Sequence, residues 1–153
     1  MTIVTYPEKI GSIGEDLIAE HLGPAAILTR EFDKYHDHDI LFFAETIAVK
    51  TYQVNRKTKG FWIGENKSKT QWVKIDNTDR LYFVQVPDNK HDSIKIYLCP
   101  DHKNAYTMEH RNDGTPVRCY PVSKLTLVDT VYDKSLSEHM FNMSCNISKW
   151  RTK

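Results

Sequence analysis

The chain has 153 residues, of which 40% are hydrophobic and 27% charged, and its formal net charge is +1. These values predict one globular domain spanning residues 1–153, with a buried core. No apolar run approaches the ~20 residues of a membrane-spanning helix and no secretory leader opens the chain, so we expect a cytoplasmic protein that does not bind membranes.

The first predicted helix begins near Ser12. Ser12 as N-cap with Glu15 three residues later forms a capping box, and Gly23-Pro24 ends the helix. On a helical wheel Glu15 falls within the apolar arc, where a carboxylate needs a partner or a cation. Two roles for Glu15 therefore stay open, a helix cap and a functional carboxylate that points inward.

Residues 25–32 predict the first strand, and residues 33–39 form a polar loop after it. This loop contains His36, Asp37 and His38. Two histidines at alternate positions of an extended segment could bind zinc, but a solvated polar turn is the simpler interpretation. Asp37 is a spare carboxylate that could supplement Asp39.

A β-hairpin is predicted next, with strands at 39–43 and 47–51 joined by residues 44–46. The hairpin would bring Asp39 near Lys50. Because strand side chains alternate between faces, Ala48 and Lys50 share one face, whereas Ile47 and Val49 point into the core. We expect the alanine to leave open space beside the lysine.

This arrangement resembles the PD-(D/E)XK nuclease superfamily, which includes restriction enzymes, phage nucleases and Holliday junction resolvases. The residues that carry the resemblance are Asp39 at the opening of one strand, x-Lys50 on the next, and the Gly-Glu15 helix upstream, and the similar region is residues 11–87. The resemblance implies an α/β fold with a central mixed β-sheet flanked by helices, restriction-endonuclease-like in its arrangement.

The resemblance also implies roles for individual residues. Asp39 would bind Mg²⁺, for which Mn²⁺ can substitute, Glu15 would be the helix carboxylate and second metal ligand, Lys50 the motif lysine, and Gln53 the glutamine beyond it. The remaining motif acid would stand at Ala48. Three explanations are open: a natural inactive relative, replacement of the acid by Glu15 and Asp37, or an alanine introduced on purpose, which the otherwise complete constellation favours.

The segment from Lys50 to Lys74 contains seven basic residues and one acidic residue, whereas the rest of the chain has 14 basic and 19 acidic residues. Such a segment attracts a polyanion, and basic residues interleaved with aromatic ones predict DNA binding. Trp62 and Trp72 could stack on bases, although core packing is the simpler interpretation for at least one of them. The predicted DNA-binding residues are Arg56, Lys57, Lys59, Lys67 and Lys69.

The other predicted elements are strands at 61–63, 80–86 and 93–98, an apolar run at 125–128, a turn at 112–116 between strand-like flanks, and helices at 67–75 and 135–145. The strand at 80–86 is expected to lie centrally. Cys99, Cys119 and Cys145 are too few and too widely spaced for a disulfide framework, so we expect free thiols. Cys99, His102, His110 and Cys119 give only a weak zinc pattern; a buried cysteine and surface histidines are the simpler interpretation.

These observations predict a Mg²⁺-dependent endodeoxyribonuclease whose activity is impaired by Ala48. One specific version is a resolvase that cuts branched DNA as a homodimer. The first alternative is a DNA-binding module without catalysis, for which Ala48 is the natural residue. A second alternative is a zinc-containing interaction protein.

Overall fold

The computed structural model describes residues 6–31 and 38–151, which form three helices and nine strands. In chain order these are α1 (Tyr6–Leu22), β1 (Ala26–Leu28), β2 (Ile40–Phe42), β3 (Glu45–Tyr52), β4 (Gly60–Gly64), α2 (Gln71–Asp76), β5 (Arg80–Gln85), β6 (Ile94–Cys99), β7 (Thr107–His110), β8 (Pro116–Pro121), β9 (Thr126–Val131) and α3 (Lys134–Arg151). Short 3₁₀ turns follow β1 at Thr29–Glu31 and β8 at Val122–Lys124.

The strands form two sheets. The larger has six strands in the order β1-β2-β3-β5-β6-β9, and every neighbouring pair is antiparallel except β3 and β5, which are parallel. The smaller is an antiparallel sheet of three strands in the order β4-β8-β7. The mixed α/β class is confirmed, and so is the central position of the strand at residues 80–85.

Each face of the six-stranded sheet has its own apolar core. One core packs α1 and α3 against residues such as Ile47, Val49 and Val84. The other lies on the opposite face of β3 and β5 and includes residues of the small sheet and α2; its Phe61 and Phe83 rings stack with centroids 4.5 Å apart. Helices therefore do not flank both faces equally, because the three-stranded sheet covers the second face together with α2; the sequence predicted β4 and strand-like flanks around residues 112–116, but not their pairing into a sheet.

Helix α1 begins earlier than predicted. Its first residue is Tyr6, so Ser12 is an interior helical residue and the predicted capping box is wrong. Pro7 suits a helical first turn, because the amide that proline lacks would have no partner there. The helix ends after Leu22 as predicted, with Gly23 at φ 101° in the left-handed region that glycine adopts readily.

Other strand and helix boundaries differ from the predicted ones because of local hydrogen bonding and turns. The predicted strand at 25–32 is shortened to Ala26–Leu28 by the 3₁₀ turn after it. The hairpin is confirmed, but its turn is Phe43-Ala44, because Phe42 pairs with Glu45. The predicted helix at 67–75 starts only at Gln71, where the carboxylate of Glu65 accepts the Gln71 amide at 2.8 Å. The strands at 60–64, 94–99 and 126–131, the turn before Pro116 and the C-terminal helix are confirmed.

Within residues 6–31 and 38–151, no helix is both long and apolar enough to cross a bilayer. Cys99, Cys119 and Cys145 are free, as predicted.

Helix α1 approaches β3 very closely at Gly14. A Cβ atom at this position would lie 1.7 Å from Oγ1 and 2.9 Å from Cβ of Thr51. Gly11, one turn earlier on the same helix, has no atom within 4 Å of the corresponding point. Only the second glycine is therefore required for the packing of the helix on the sheet.

We expect Gly14→Ala and Gly11→Ala to change the free energy of unfolding in opposite directions. Overpacking against Thr51 should cost about 1–3 kcal/mol, whereas removing a glycine from an open position of a helix interior should stabilise the protein by roughly 0.5–1 kcal/mol. Urea unfolding followed by circular dichroism measures both values. Equal effects of the two substitutions would contradict the close contact.

Candidate active site

Asp39 lies where the pairing of β2 with β3 ends, and it bonds to β3 on both sides of Ala48. Its main-chain amide donates to the carbonyl of Ile47 at 2.9 Å, and its Oδ2 accepts the amide of Val49 at 2.7 Å. The carboxylate thereby satisfies an amide that a continued β2 strand would otherwise have paired. The hairpin thus holds the Asp39 side chain rigidly beside position 48.

Glu15 approaches the same region from α1. Its Oε1 accepts a hydrogen bond from Nη1 of Arg30 at 2.8 Å, and only 18% of its side chain is exposed. Arg30 also pairs with Asp16 and donates to the carbonyl of Ser12 at 3.2 Å. The predicted inward orientation of Glu15 is confirmed, and Arg30 is the partner that this orientation requires.

The two carboxylates are electrostatically coupled. Burial raises the pKa of Glu15 above its usual value, and the charge of Asp39 raises it further, while Arg30 opposes both effects. Burial also raises the pKa of Asp39, against the hydrogen bond from Val49 and the charges of Lys50, His38 and Arg30. Burial of both carboxyl groups, and the charge of Asp39 acting on Glu15, therefore disfavour their ionisation.

Lys50 is half-buried and close enough to favour ionisation of Asp39. Asp39 is therefore within electrostatic range of Glu15 and of Lys50, the two residues that the sequence assigned to the same site. Ala48 differs from the expectation. It is only 4% exposed and belongs to the apolar core that contains Phe83, so the open space expected there is absent.

The remaining predicted site residues lie apart from this group. Gln53 is exposed beyond the end of β3 and lines a cleft with Asn55 and Trp62. His36 and Asp37 lie outside the described residues. The carbonyl of His38 accepts the hydroxyl of Thr29 at 2.7 Å, which ties this part of the chain to the 3₁₀ turn after β1.

The predicted DNA-binding loop is a compact turn between β3 and β4. Asn55 and Gly60 close it, and Oδ1 of Asn55 accepts the amides of Lys57 and Thr58 at 3.0 Å. These hydrogen bonds pair the side-chain oxygen of Asn55 with main-chain amides of the turn. The basic side chains of the turn are exposed to solvent. The predicted basic residues that are exposed are Arg56, Lys57 and Lys59 in this turn and Lys67 and Lys69 in the segment before α2.

The two tryptophans of the basic segment have different environments. Trp72 packs on the second core, and its indole N–H donates to the carbonyl of Ile63 at 3.0 Å, so the simpler interpretation holds for this residue. Trp62 is half-buried and lines the cleft, and its indole N–H donates to Oγ1 of Thr58 at 2.8 Å.

The candidate zinc ligands are held by other interactions. Burial raises the pKa of Cys99 to about 11, which disfavours the thiolate that a metal would bind. His102 is buried, with its Nε2 at 2.8 Å from the carbonyl of Thr78, and Cys119 is buried in β8. Within the described residues, no three His, Cys, Asp or Glu side chains form a group that could hold a metal ion.

A magnesium ion would find two ligands here instead of three. Each carboxylate uses one oxygen for a protein hydrogen bond, Glu15 to Arg30 and Asp39 to Val49. Within the described part of the chain, Oε2 of Glu15 and Oδ1 of Asp39 accept none. Mg²⁺ commonly takes one or two carboxylates and completes its shell with water and substrate phosphate, so the residues present fit it as a weak site.

No protein-family model, curated protein or solved structure matches this chain. Arg30, the partner of Glu15, is the residue of this group that the sequence did not point to. The one signal for it was the inward carboxylate of Glu15, which required a cation somewhere in the fold.

Proposed function

We propose that this protein is a nuclease-like DNA-binding domain of the restriction-endonuclease type, with a weak Mg²⁺ site at Glu15 and Asp39 and with phosphodiester hydrolysis impaired by Ala48. The observation that supports the proposal is that Asp39, just before β2, lies within electrostatic range of Glu15 on α1 and of Lys50 on β3. Homodimer formation and a preference for branched DNA stay predictions.

The electrostatics of the two carboxylates favour a cation. Both have raised pKa values because burial and, for Glu15, the charge of Asp39 disfavour ionisation. A divalent cation between two such groups would offset their repulsion; of the two, Arg30 is paired only with Glu15, and its charge also favours ionisation of Asp39. The free oxygen of each carboxylate is the ligand that this proposal assigns to the metal.

The chain supplies the other requirements of phosphodiester hydrolysis. When bound, Mg²⁺ would neutralise charge on the phosphate and help to activate water. Lys50 would hold the attacking water or stabilise the developing negative charge. Arg30 keeps Glu15 oriented, and the amide of Val49 keeps Asp39 oriented, so both ligands are positioned before metal arrives.

A non-catalytic DNA-binding module is the second candidate. Two observations favour it: Ala48 packs in an apolar core, and Glu15 already has a cationic partner in Arg30. In this alternative, Asp39 acts only as the acceptor that caps the Val49 amide. Metal binding separates the two candidates, since the module has no need of a cation at its carboxylates.

We expect Asp39→Asn to abolish Mg²⁺ uptake while the fold is retained. Asparagine keeps an oxygen that can accept the Val49 amide, but it lacks the charge that binds a hard cation. Calorimetric titration with Mg²⁺ should give an affinity reduced by more than about tenfold, because a charged ligand of a two-carboxylate site is lost.

The control is Asp101→Asn, which removes the same charge from an exposed turn after β6. It should bind Mg²⁺ as the parent protein does. An unchanged titration curve for Asp39→Asn would place any metal elsewhere and would support the non-catalytic module.

A further inference from the structure

A cleft runs between the end of β3 and the three-stranded sheet. It consists of two cavities of about 620 and 830 Å³, both of which are lined by Asn55, Trp62 and Arg111, so they meet at these residues. Gln53 is among the residues that line the first cavity, and Lys57 is among those that line the second. Each volume lies within the roughly 300–1,000 Å³ that small-molecule sites occupy.

Trp62 has a fixed position between the two cavities. The hydrogen bond from its indole N–H to Thr58, 2.8 Å long, holds it to the DNA-binding loop described above. The side chain is half-buried and lines both cavities, so part of its ring surface remains open to a ligand. A fixed aromatic ring in a polar cleft is a stacking platform for a flat group such as a nucleobase.

Arg111 supplies positive charge at the same place. Its guanidinium lies against the backbone of Gly64, because a Cβ there would be only 3.0 Å from Nη2 of Arg111. Within the described residues its side chain makes no hydrogen bond or ion pair. Asp113 lines the same cavity, but its Oδ1 accepts the amide of Thr115 at 2.9 Å, which leaves the donors of Arg111 available to a phosphate.

The charges around the cleft suit a polyanion. Glu65 lines the first cavity, but its Oε1 accepts main-chain amides at the start of α2, including that of Gln71 at 2.8 Å. Glu109 and Asp113 line the second cavity. The five exposed cations of the two flanking segments outnumber these three acids, and they are Arg56, Lys57, Lys59, Lys67 and Lys69.

The stacking platform favours a single strand. Each cavity has the volume of a small-molecule site, which suits one nucleotide, and a base must be unpaired before its face can stack on Trp62, whereas a duplex keeps its bases paired. We infer that the cleft binds a single strand of DNA, with a base stacked on Trp62 and a phosphate held by Arg111.

A single strand bound in the cleft would be the substrate of the proposed site at Glu15 and Asp39. Only this link between the cleft and that site rests on the proposed function. Gln53 lies three residues beyond Lys50, roughly 10 Å along an extended chain. A strand that extends from the first cavity along β3 would then reach Lys50. The substrate class would be DNA with an unpaired stretch, such as a flap, a bubble or a branch point.

The test compares a fluorescent oligothymidine of twelve nucleotides with a duplex of twelve base pairs, by fluorescence anisotropy in EDTA. Arg111→Ala should weaken binding of the single strand. It should also reduce the slope of log affinity against log salt concentration by about 0.7, the contribution of one phosphate contact. Trp62→Leu should weaken it by roughly 5- to 150-fold through lost stacking. Duplex affinity, which the exposed cations carry, should change by less than about twofold.

Lys95→Ala, which removes an exposed cation on β6, is the matched control and should leave both affinities unchanged. If Trp62→Leu fails to fold, Arg111→Ala still decides the question. Parental single-strand affinity in Arg111→Ala, or equal losses for single strand and duplex, would overturn the inference. EDTA removes metal from the comparison, so this result is independent of whether Glu15 and Asp39 bind Mg²⁺.

Discussion

Replacing Ala48 with glutamate should yield a protein that is less stable than the parent without metal and that Mg²⁺ stabilises and activates for DNA cleavage. Asp39 hydrogen-bonds to the main chain of Ile47 and Val49 on either side of this position, so residue 48 is next to Asp39 along β3. A carboxylate there would supply the third ligand that the site lacks. Ala48→Asp should be less effective, because its shorter side chain reaches less far.

The cost of the substitution follows from the burial of Ala48, which is only 4% exposed. An unpaired buried carboxylate should lower the free energy of unfolding by several kcal/mol, within the ~2–7 kcal/mol range for a buried polar group. Saturating Mg²⁺ at about 100 times its dissociation constant should restore roughly 2.7 kcal/mol. Thermal unfolding with and without Mg²⁺, followed by plasmid nicking and cutting of a four-way junction, measures both effects.

Ala48→Gln is the matched control, because it has the same shape as the glutamate variant and cannot bind the ion as a carboxylate. It should be destabilised by overpacking, and Mg²⁺ should change neither its stability nor its inactivity. A glutamate variant that behaves like the glutamine variant would end the nuclease interpretation of this position. Ala48 would then be a small residue required by the core around Phe83.

Asp76→Ala should destabilise the protein much more than the loss of an exposed ion pair does. The guanidinium of Arg118 donates to both oxygens of Asp76, at 2.7 and 2.9 Å, and the two side chains are 9% and 30% exposed. Arg118 also lies 4.1 Å from the centroid of the Tyr106 ring. The pair joins Asp76, the last residue of α2, to β8 and so holds this helix against the small sheet.

Removing Asp76 leaves a buried cation without its partner, which typically costs about 3–5 kcal/mol. Because Asp76 is partly exposed, water will solvate the guanidinium of Arg118 in part and offset some of this cost. We therefore expect the free energy of unfolding to fall by about 2–4 kcal/mol, or the melting temperature by roughly 4–16 °C. Glu45→Ala, which breaks the exposed pair with Arg80, should cost less than about 1 kcal/mol. Calorimetric melting of the two variants measures the difference, and equal losses would mean that the buried pair is not a structural clamp.

Local patterns determined much of the fold. The hairpin at β2 and β3 and the central strand β5 follow from short β-branched and aromatic runs bounded by turn residues. The proximity of Asp39 and Lys50 follows from the hairpin, because antiparallel pairing brings the start of one strand beside the end of the next. Glu15 was predicted to point inward from helical periodicity alone.

The tertiary structure decided the contacts between residues that are far apart in the chain. Arg30 reaches Glu15 across 15 positions of the chain, and β4 pairs with β8, so that Gly60 meets Pro121. Neither contact leaves a periodic signal in the sequence, since long-range pairing depends on which surfaces meet during folding. The burial of Ala48 has the same origin: strand alternation assigned its face, but only the packing of the three-stranded sheet made that face a second core.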